Sequence, residues 1–180
     1  MHFGAPKLQS LAAGVKIVFK GEAPLDDGGI LHVEKIFSIP NKGDSVDVQW
    51  RFNCKGGSVN FRFVAESLFC LLAGNAPDRY VSWQEGRTKH RDILASNAEM
   101  PGVQDISIAD EWLQLKAAVE AKDASMIWRT AMETVSQSEG GYERVYQGTV
   151  IAPVWNFNLS NGDKAQTHMK CKLKEGNAGW

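Results

Sequence analysis

From Ser45 to Cys54 apolar and polar residues alternate one for one. Val46, Val48, Trp50, Phe52 and Cys54 interleave with Ser45, Asp47, Gln49, Arg51 and Asn53. A period of two puts one apolar face on a core and one polar face in water, which predicts a half-buried β-strand. Val15, Ile17 and Phe19 alternate with Lys16 and Lys20, and Val18 breaks only the polar side. Leu31, Val33, Phe37 and Ile39 form another run, interrupted on its apolar face by Lys35. Leu113, Leu115, Ala117 and Val119 alternate with Gln114, Lys116, Ala118 and Glu120, which predicts a strand with Leu113 and Leu115 on the buried face.

Turn-forming clusters separate these runs: Asp27-Gly28-Gly29, Pro40-Asn41-Lys42-Gly43, Lys55-Gly56-Gly57, Lys122-Asp123 and Asn161-Gly162-Asp163. They supply positive φ or local side-chain hydrogen bonds where the chain reverses. Strand-length runs joined by turns predict an all-β, antiparallel two-sheet sandwich. From Phe61 to Leu72 the apolar residues fit helical and strand spacing about equally. The neighbouring alternation favours one long strand, buried on both faces near Leu68 to Leu72. Gly74 to Arg91 reads as a long connection holding one short strand, Tyr80 to Trp83. Trp50, Phe52, Phe61, Phe63, Leu113, Leu115 and Val119 are the expected core. No linker interrupts the pattern, so one domain over 1–180 is expected, with an ordered core of about 12–173.

The chain has 180 residues, 43% of them hydrophobic, which is enough to fill a core. Its 20 Lys and Arg nearly balance 21 Asp and Glu, so no overall charge favours nucleic acid or anionic lipid as a partner. No apolar run is long enough to cross a bilayer, and residues 1–14 lack a secretory signal pattern. Three cysteines far apart, with no Cys-x-x-Cys spacing, fit a reduced, cytoplasmic protein, and one disulfide with a spare thiol stays open.

Little in the sequence points to catalysis. The four histidines are not spaced as metal ligands, so no metal and no cofactor are expected. His32 and His168 read as outward residues on strands, and His90 as part of a solvated loop. Ser136, Ser138 and Glu139 lack a nucleophile elbow. Asp105, Asp110 and Glu111 read as an exposed turn. Of the six tryptophans, Trp50 belongs to a core face, whereas Trp83 and Trp112 are candidates for exposure. An exposed indole can stack on the apolar face of a sugar, or seal a junction between domains.

Two segments narrow the field. Leu72-Ala-Gly-Asn-Ala-Pro-Asp-Arg-Tyr80 and Glu133-Thr-Val-Ser-Gln-Ser-Glu-Gly-Gly-Tyr-Glu-Arg-Val-Tyr-Gln-Gly148 resemble, in order and spacing, segments of the C-terminal domain of glycoside hydrolase family 57. The β-run ending in Ala152-Pro-Val-Trp155 fits as well, and the resemblance covers about residues 12–173. It implies a twisted sandwich of the galactose mutarotase kind, attached to an N-terminal catalytic barrel that acts on α-1,4-glucans. The catalytic pair of such enzymes lies in that barrel, so the resemblance implies no catalytic residue in this chain. It implies instead an accessory domain that packs on the barrel and contacts glucan. Asp78, Arg79, Tyr80, Gln137, Ser138 and Glu139 are placed at that junction, with Trp83 and Trp112 as sugar platforms; the same polar residues could instead pin neighbouring loops. Asn75 stands where an Asp is expected. A structural or oligomerisation domain, and a small aldose-epimerase-like enzyme using His32, His90 or His168 with a Glu, are the other readings.

Overall fold

The computed structural model describes residues 2–138 and 140–176. Among them the chain forms strands and no helix: β1 (His2–Phe3), β2 (Lys7–Leu11), β3 (Gly14–Pro24), β4 (Ile30–Pro40), β5 (Ser45–Lys55), β6 (Val59–Val64), β7 (Ser67–Phe69), β8 (Arg79–Glu85), β9 (Thr88–Ile93), β10 (Ala98–Pro101), β11 (Asp105–Asp110), β12 (Leu115–Lys122), β13 (Met126–Ser138), β14 (Gly141–Leu159) and β15 (Lys164–Glu175). They lie in two open antiparallel sheets, of ten and five strands, as the alternation predicts. The chain divides into two compact units. Of the described residues, the first holds 2–63 with Glu120–Asp123 and Trp155–Lys172; the second holds Val64–Val119, those of 124–154, and 173–176.

In the first unit the order is β1-β3-β4-β5-β15, with β2 also on β3. The alternation of β5 is realised directly: Val48, Trp50, Phe52 and Cys54 are buried. Rings from both sheets fill the interior. Trp50 and Phe63 have centroids 5.2 Å apart, Phe52 and Phe157 5.0 Å, Phe52 and Phe61 5.3 Å, and Phe63 and Trp155 5.9 Å. Trp155 keeps its indole N–H satisfied by donating to the Lys122 carbonyl at 2.9 Å. Lys35, the polar interruption of β4, lies against this cluster. Its ammonium sits 4.7 Å from the Phe37 ring centre and 5.6 Å from that of Trp50, and burial lowers its pKa. The turn after β3 is tied by Asp27, whose carboxylate accepts from the amides of Ser58 (2.7 Å) and Gly29 (3.2 Å). A Cβ on Gly57 would fall 2.1 Å from Asp27 Oδ1, so this close approach requires glycine.

In the second unit β8 pairs with β9 and β11, β11 continues to β12, and β10-β13-β14 form the other layer with β7 on β14. Three expectations are corrected here. The long strand from Phe61 to Leu72 is two strands, broken at Ala65–Glu66, where the Ala65 amide bonds the Pro153 carbonyl. Its end is not buried on both faces: β7 is a three-residue strand pairing only β14, and Leu72 beyond it is 83% exposed. The connection from Gly74 to Arg91 is in large part a hairpin, β8–β9, so His90 lies on a strand. Leu113 is 61% exposed, because β12 starts at Leu115. The alternation runs on through a turn whose geometry is set by Asp110, which accepts the Leu113 amide at 2.9 Å.

Candidate functional site

The loop after β7 is organised by contacts that join the two segments singled out in the sequence. Gly74 is buried beneath the ring of Tyr146, which belongs to the second segment. A Cβ there would lie 2.7 Å from two ring atoms and 2.9 Å from Ala95 Cβ. The Tyr146 hydroxyl is 2.6 Å from Thr149 Oγ1, and Thr149 donates to the Leu94 carbonyl at 2.8 Å. Burial raises the Tyr146 pKa, partly offset by the Thr149 hydrogen bond. The Gly74 carbonyl accepts from Ala95, and the Ala73 and Ala76 carbonyls accept from Ala76 and Arg79 in successive turns. Sequence spacing alone cannot show that these distant segments touch.

Beyond this loop the chain enters β8 with Asp78, Arg79 and Tyr80. Arg79 Nε donates to Asp110 Oδ2 at 2.8 Å, and that hydrogen bond raises the guanidinium pKa. Asp110 is only 1% exposed, so the exposed acidic turn expected at Asp110 is corrected. It sits on the same face of β11 as Ile106 and Ile108, and a carboxylate at a core-facing position demands a cationic partner. That position was the signal the sequence offered. Asp78 lies 3.6 Å from Arg79 and accepts the Glu111 amide on its carbonyl. Arg79 and Asp78 thus tie the start of β8 to the end of β11 and the turn after it.

Arg91 on β9 lies over the Tyr80 ring, its guanidinium carbon 3.3 Å from the centroid. It also pairs with Glu111 at 3.3 Å and donates to the Pro77 carbonyl. Burial raises the Tyr80 pKa, Arg91 works against this, and Glu111 adds to it. Trp83 is half-buried and stacked on His90, with centroids 5.1 Å apart and planes 12° from parallel. Its N–H donates to Glu85 at 2.9 Å, and the guanidinium of buried Arg129 lies 5.6 Å from the ring. His90 therefore occupies a ring face that a sugar would need. Tyr80, Trp83, His90, Arg91, Glu111 and Lys116 line a cleft of about 460 Å³. Burial lowers the Lys116 pKa, with Lys174 and Lys89 adding to it.

Trp112 follows Glu111 directly, in the turn between β11 and β12, and is 77% exposed. Gln137 is exposed near the end of β13, paired with Tyr142. The Ser138 backbone pairs with Gly141, and Glu139 lies outside the described residues. The structure thus gathers Asp78, Arg79, Tyr80 and Trp83, and puts Trp112 next to their partner Glu111. Gln137 and Ser138 belong to a separate ribbon. Among the described residues no group of three or more His, Cys, Asp or Glu could hold a metal ion. Among the same residues no helix is long and apolar enough to cross a membrane. Cys54, Cys70 and Cys171 are free, and burial raises the Cys171 thiol pKa.

The family model described as alpha-amylase/4-alpha-glucanotransferase, C-terminal, matches residues 5–169. The chain belongs to this family. Among solved structures it is similar to 4-alpha-glucanotransferase from Thermococcus litoralis, with 15% identity and a TM-score of 0.62 over 95% of this chain. The chain spans only 22% of that enzyme's length. It is also similar to a putative aldose 1-epimerase from Escherichia coli K12, with 12% identity, a TM-score of 0.63, and coverage of 96% of this chain and 69% of that one. A galactose mutarotase-like protein from Lactobacillus casei gives 10% identity and a TM-score of 0.61, covering 94% and 73%. At these identities the likeness is one of fold, and the fold is of the galactose mutarotase-like kind expected. No curated protein matches the sequence.

Proposed function

We propose that this C-terminal-family domain is a non-catalytic accessory of an α-glucan-active hydrolase or 4-α-glucanotransferase. It supports the catalytic barrel and contacts glucan through Trp112. The observation that carries the sugar contact is the free indole of Trp112 beside a polar cleft. Trp83 was the other candidate, but its stacking on His90 favours a supporting role. One indole face covering about 100 Å² of sugar supplies roughly 2.5 kcal/mol, and a few hydrogen bonds bring the total to about 4 kcal/mol, or millimolar affinity. Arg91, Glu111 and Asp78 are the polar groups near enough to that turn to orient sugar hydroxyls.

Support of the barrel is assigned to the ribbon of β13 and β14. Val135, Gln137 and Tyr142 share one of its faces, and Tyr142 is 82% exposed. An exposed aromatic with an aliphatic neighbour suits the apolar centre of a domain junction, and the exposed amide of Gln137 suits its polar rim. The family's placement at the C-terminus of longer enzymes agrees with this reading.

The test is a maltoheptaose titration followed by tryptophan fluorescence. A saturable change with a millimolar constant, abolished in Trp112→Ala and kept in Trp83→Phe, is the expected result. An unchanged titration in Trp112→Ala would remove Trp112 from the contact.

A further inference from the structure

The first unit carries a second feature, apart from the Trp112 turn. Where β4, β5 and β15 run side by side, Val33 and Phe52 point inward, and their neighbours form a polar face. Two rows cross these strands in register: His32, Asn53 and Lys164 in one, Glu34, Arg51 and Gln166 in the other. Together they line a cavity of about 550 Å³. An adjoining cavity of about 540 Å³, reached by Lys20 and Glu22 of β3, shares His32 and Glu34 with it. The polar face is thus a groove across four strands.

The charges in this groove do not cancel. Both of its carboxylates are already engaged: Glu34 pairs with Lys20 at 2.6 Å, and Glu22 with His32 Nδ1 at 3.0 Å. Arg51 and Lys164 have no carboxylate partner among the described residues. Arg51 is held by an amide relay, its Nε donating to Gln49 Oε1 at 3.1 Å while Gln49 Nε2 donates to Gln166 Oε1 at 3.2 Å. That relay uses one guanidinium nitrogen and leaves both terminal nitrogens for a ligand. Arg51 and Lys164 are diagonal neighbours on β5 and β15, a spacing of roughly 7–8 Å between residues and somewhat less between their Cβ atoms. Long side chains at that spacing can converge on one small anion. The amides of Asn53 and Gln166 and the His32 ring offer both donors and acceptors, as a polyhydroxyl ring requires.

We propose that this groove binds a monosaccharide bearing one anionic group, phosphate or carboxylate, with Arg51 and Lys164 on the anion and Asn53, Gln166 and His32 on the hydroxyls. The site lies in the first unit and does not rest on the glucan reading, so each can fail alone.

The experiment is a set of amide NMR titrations of the whole chain with glucose 6-phosphate, glucuronate, glucose and inorganic phosphate. At least one charged sugar should shift amides around residues 32–34, 51–53 and 164–166 saturably, and should bind about tenfold more tightly than glucose or inorganic phosphate. The tighter charged sugar identifies the anion. Arg51→Gln and Lys164→Gln are surface changes, expected to keep the parent spectrum and to weaken binding about fivefold or more each, as raised salt should also do. No saturable shift by either charged sugar at about 20 mM, well above a millimolar constant, would overturn the proposal. Binding of inorganic phosphate as tight as that of the sugars, or binding unaffected by both substitutions, would overturn it equally.

Discussion

Replacing Gly74 by alanine probes the contact between the two family segments. Gly74 lies outside the left-handed region, so alanine carries no torsional penalty there and its effect is steric. The added Cβ would stand 2.7 Å from Tyr146 Cγ and Cδ2 and 2.9 Å from Ala95 Cβ. The ring cannot simply retreat, because its hydroxyl is bonded to Thr149, itself buried and bonded to Leu94. Overpacking of this kind costs about 1–3 kcal/mol. Gly→Ala also removes freedom from the unfolded chain, which returns about 0.4–1 kcal/mol. The net loss should be about 1–2 kcal/mol, or a fall in Tm of roughly 2–8 °C for a chain of this size. Urea unfolding followed by tryptophan fluorescence measures it. The decisive comparison is a double-mutant cycle with Tyr146→Ala. Once the ring is gone only the Ala95 contact at 2.9 Å remains, and Gly74→Ala should then cost clearly less than in the parent. An equal cost in both backgrounds, or no cost in the parent, would refute the contact.

Trp50→Ala should cost about 3–5 kcal/mol in the same assay, since it empties a buried site beside Phe63, Trp155 and the Lys35 ammonium; a loss below about 1 kcal/mol would mean that the other face of β5 is buried. Asp92 has burial working to raise its pKa, yet its hydrogen bonds to Arg129, Ser96 and the Ile93 amide prevail and hold it below the usual carboxylate range. With its pKa lowered on folding, its stabilising contribution is present above the ordinary value and lost as pH falls through the folded one. Asp92→Asn should therefore lower Tm at neutral pH, with the gap closing below about pH 4; a gap of equal size at neutral and acid pH would contradict this. Purified protein should neither hydrolyse nor disproportionate maltooligosaccharides, and turnover abolished by substituting one of its own acidic residues would overturn the non-catalytic reading.

What the sequence discloses is what depends on local alternation. The buried face of β5, the turns at Asp27 and Gly57, and the exposure of Trp112 all follow from neighbours within a few residues. The strand break at Ala65 and the exposure of Leu72 do not, because a period of two persists on both sides of a break and carries no count of pairing partners. Leu113 misleads for the same reason: alternation continues into a turn that the Asp110 carboxylate holds from the side. The polar cluster on β8 was legible residue by residue, but its partners Arg91, Asp110 and Glu111 come from other strands. Asp110 in particular is an acid in phase with Ile106 and Ile108, a position with a physical meaning that the reading of an exposed turn overlooked.

Amide NMR mapping of maltoheptaose on the parent chain tests the glucan contact most directly. Shifts should centre on Glu111 to Gln114 and extend to Tyr80 and Arg91, with a constant on the order of millimolar and little response to salt, because the ligand is neutral. Shifts absent at about ten times that concentration, or centred elsewhere, would contradict it.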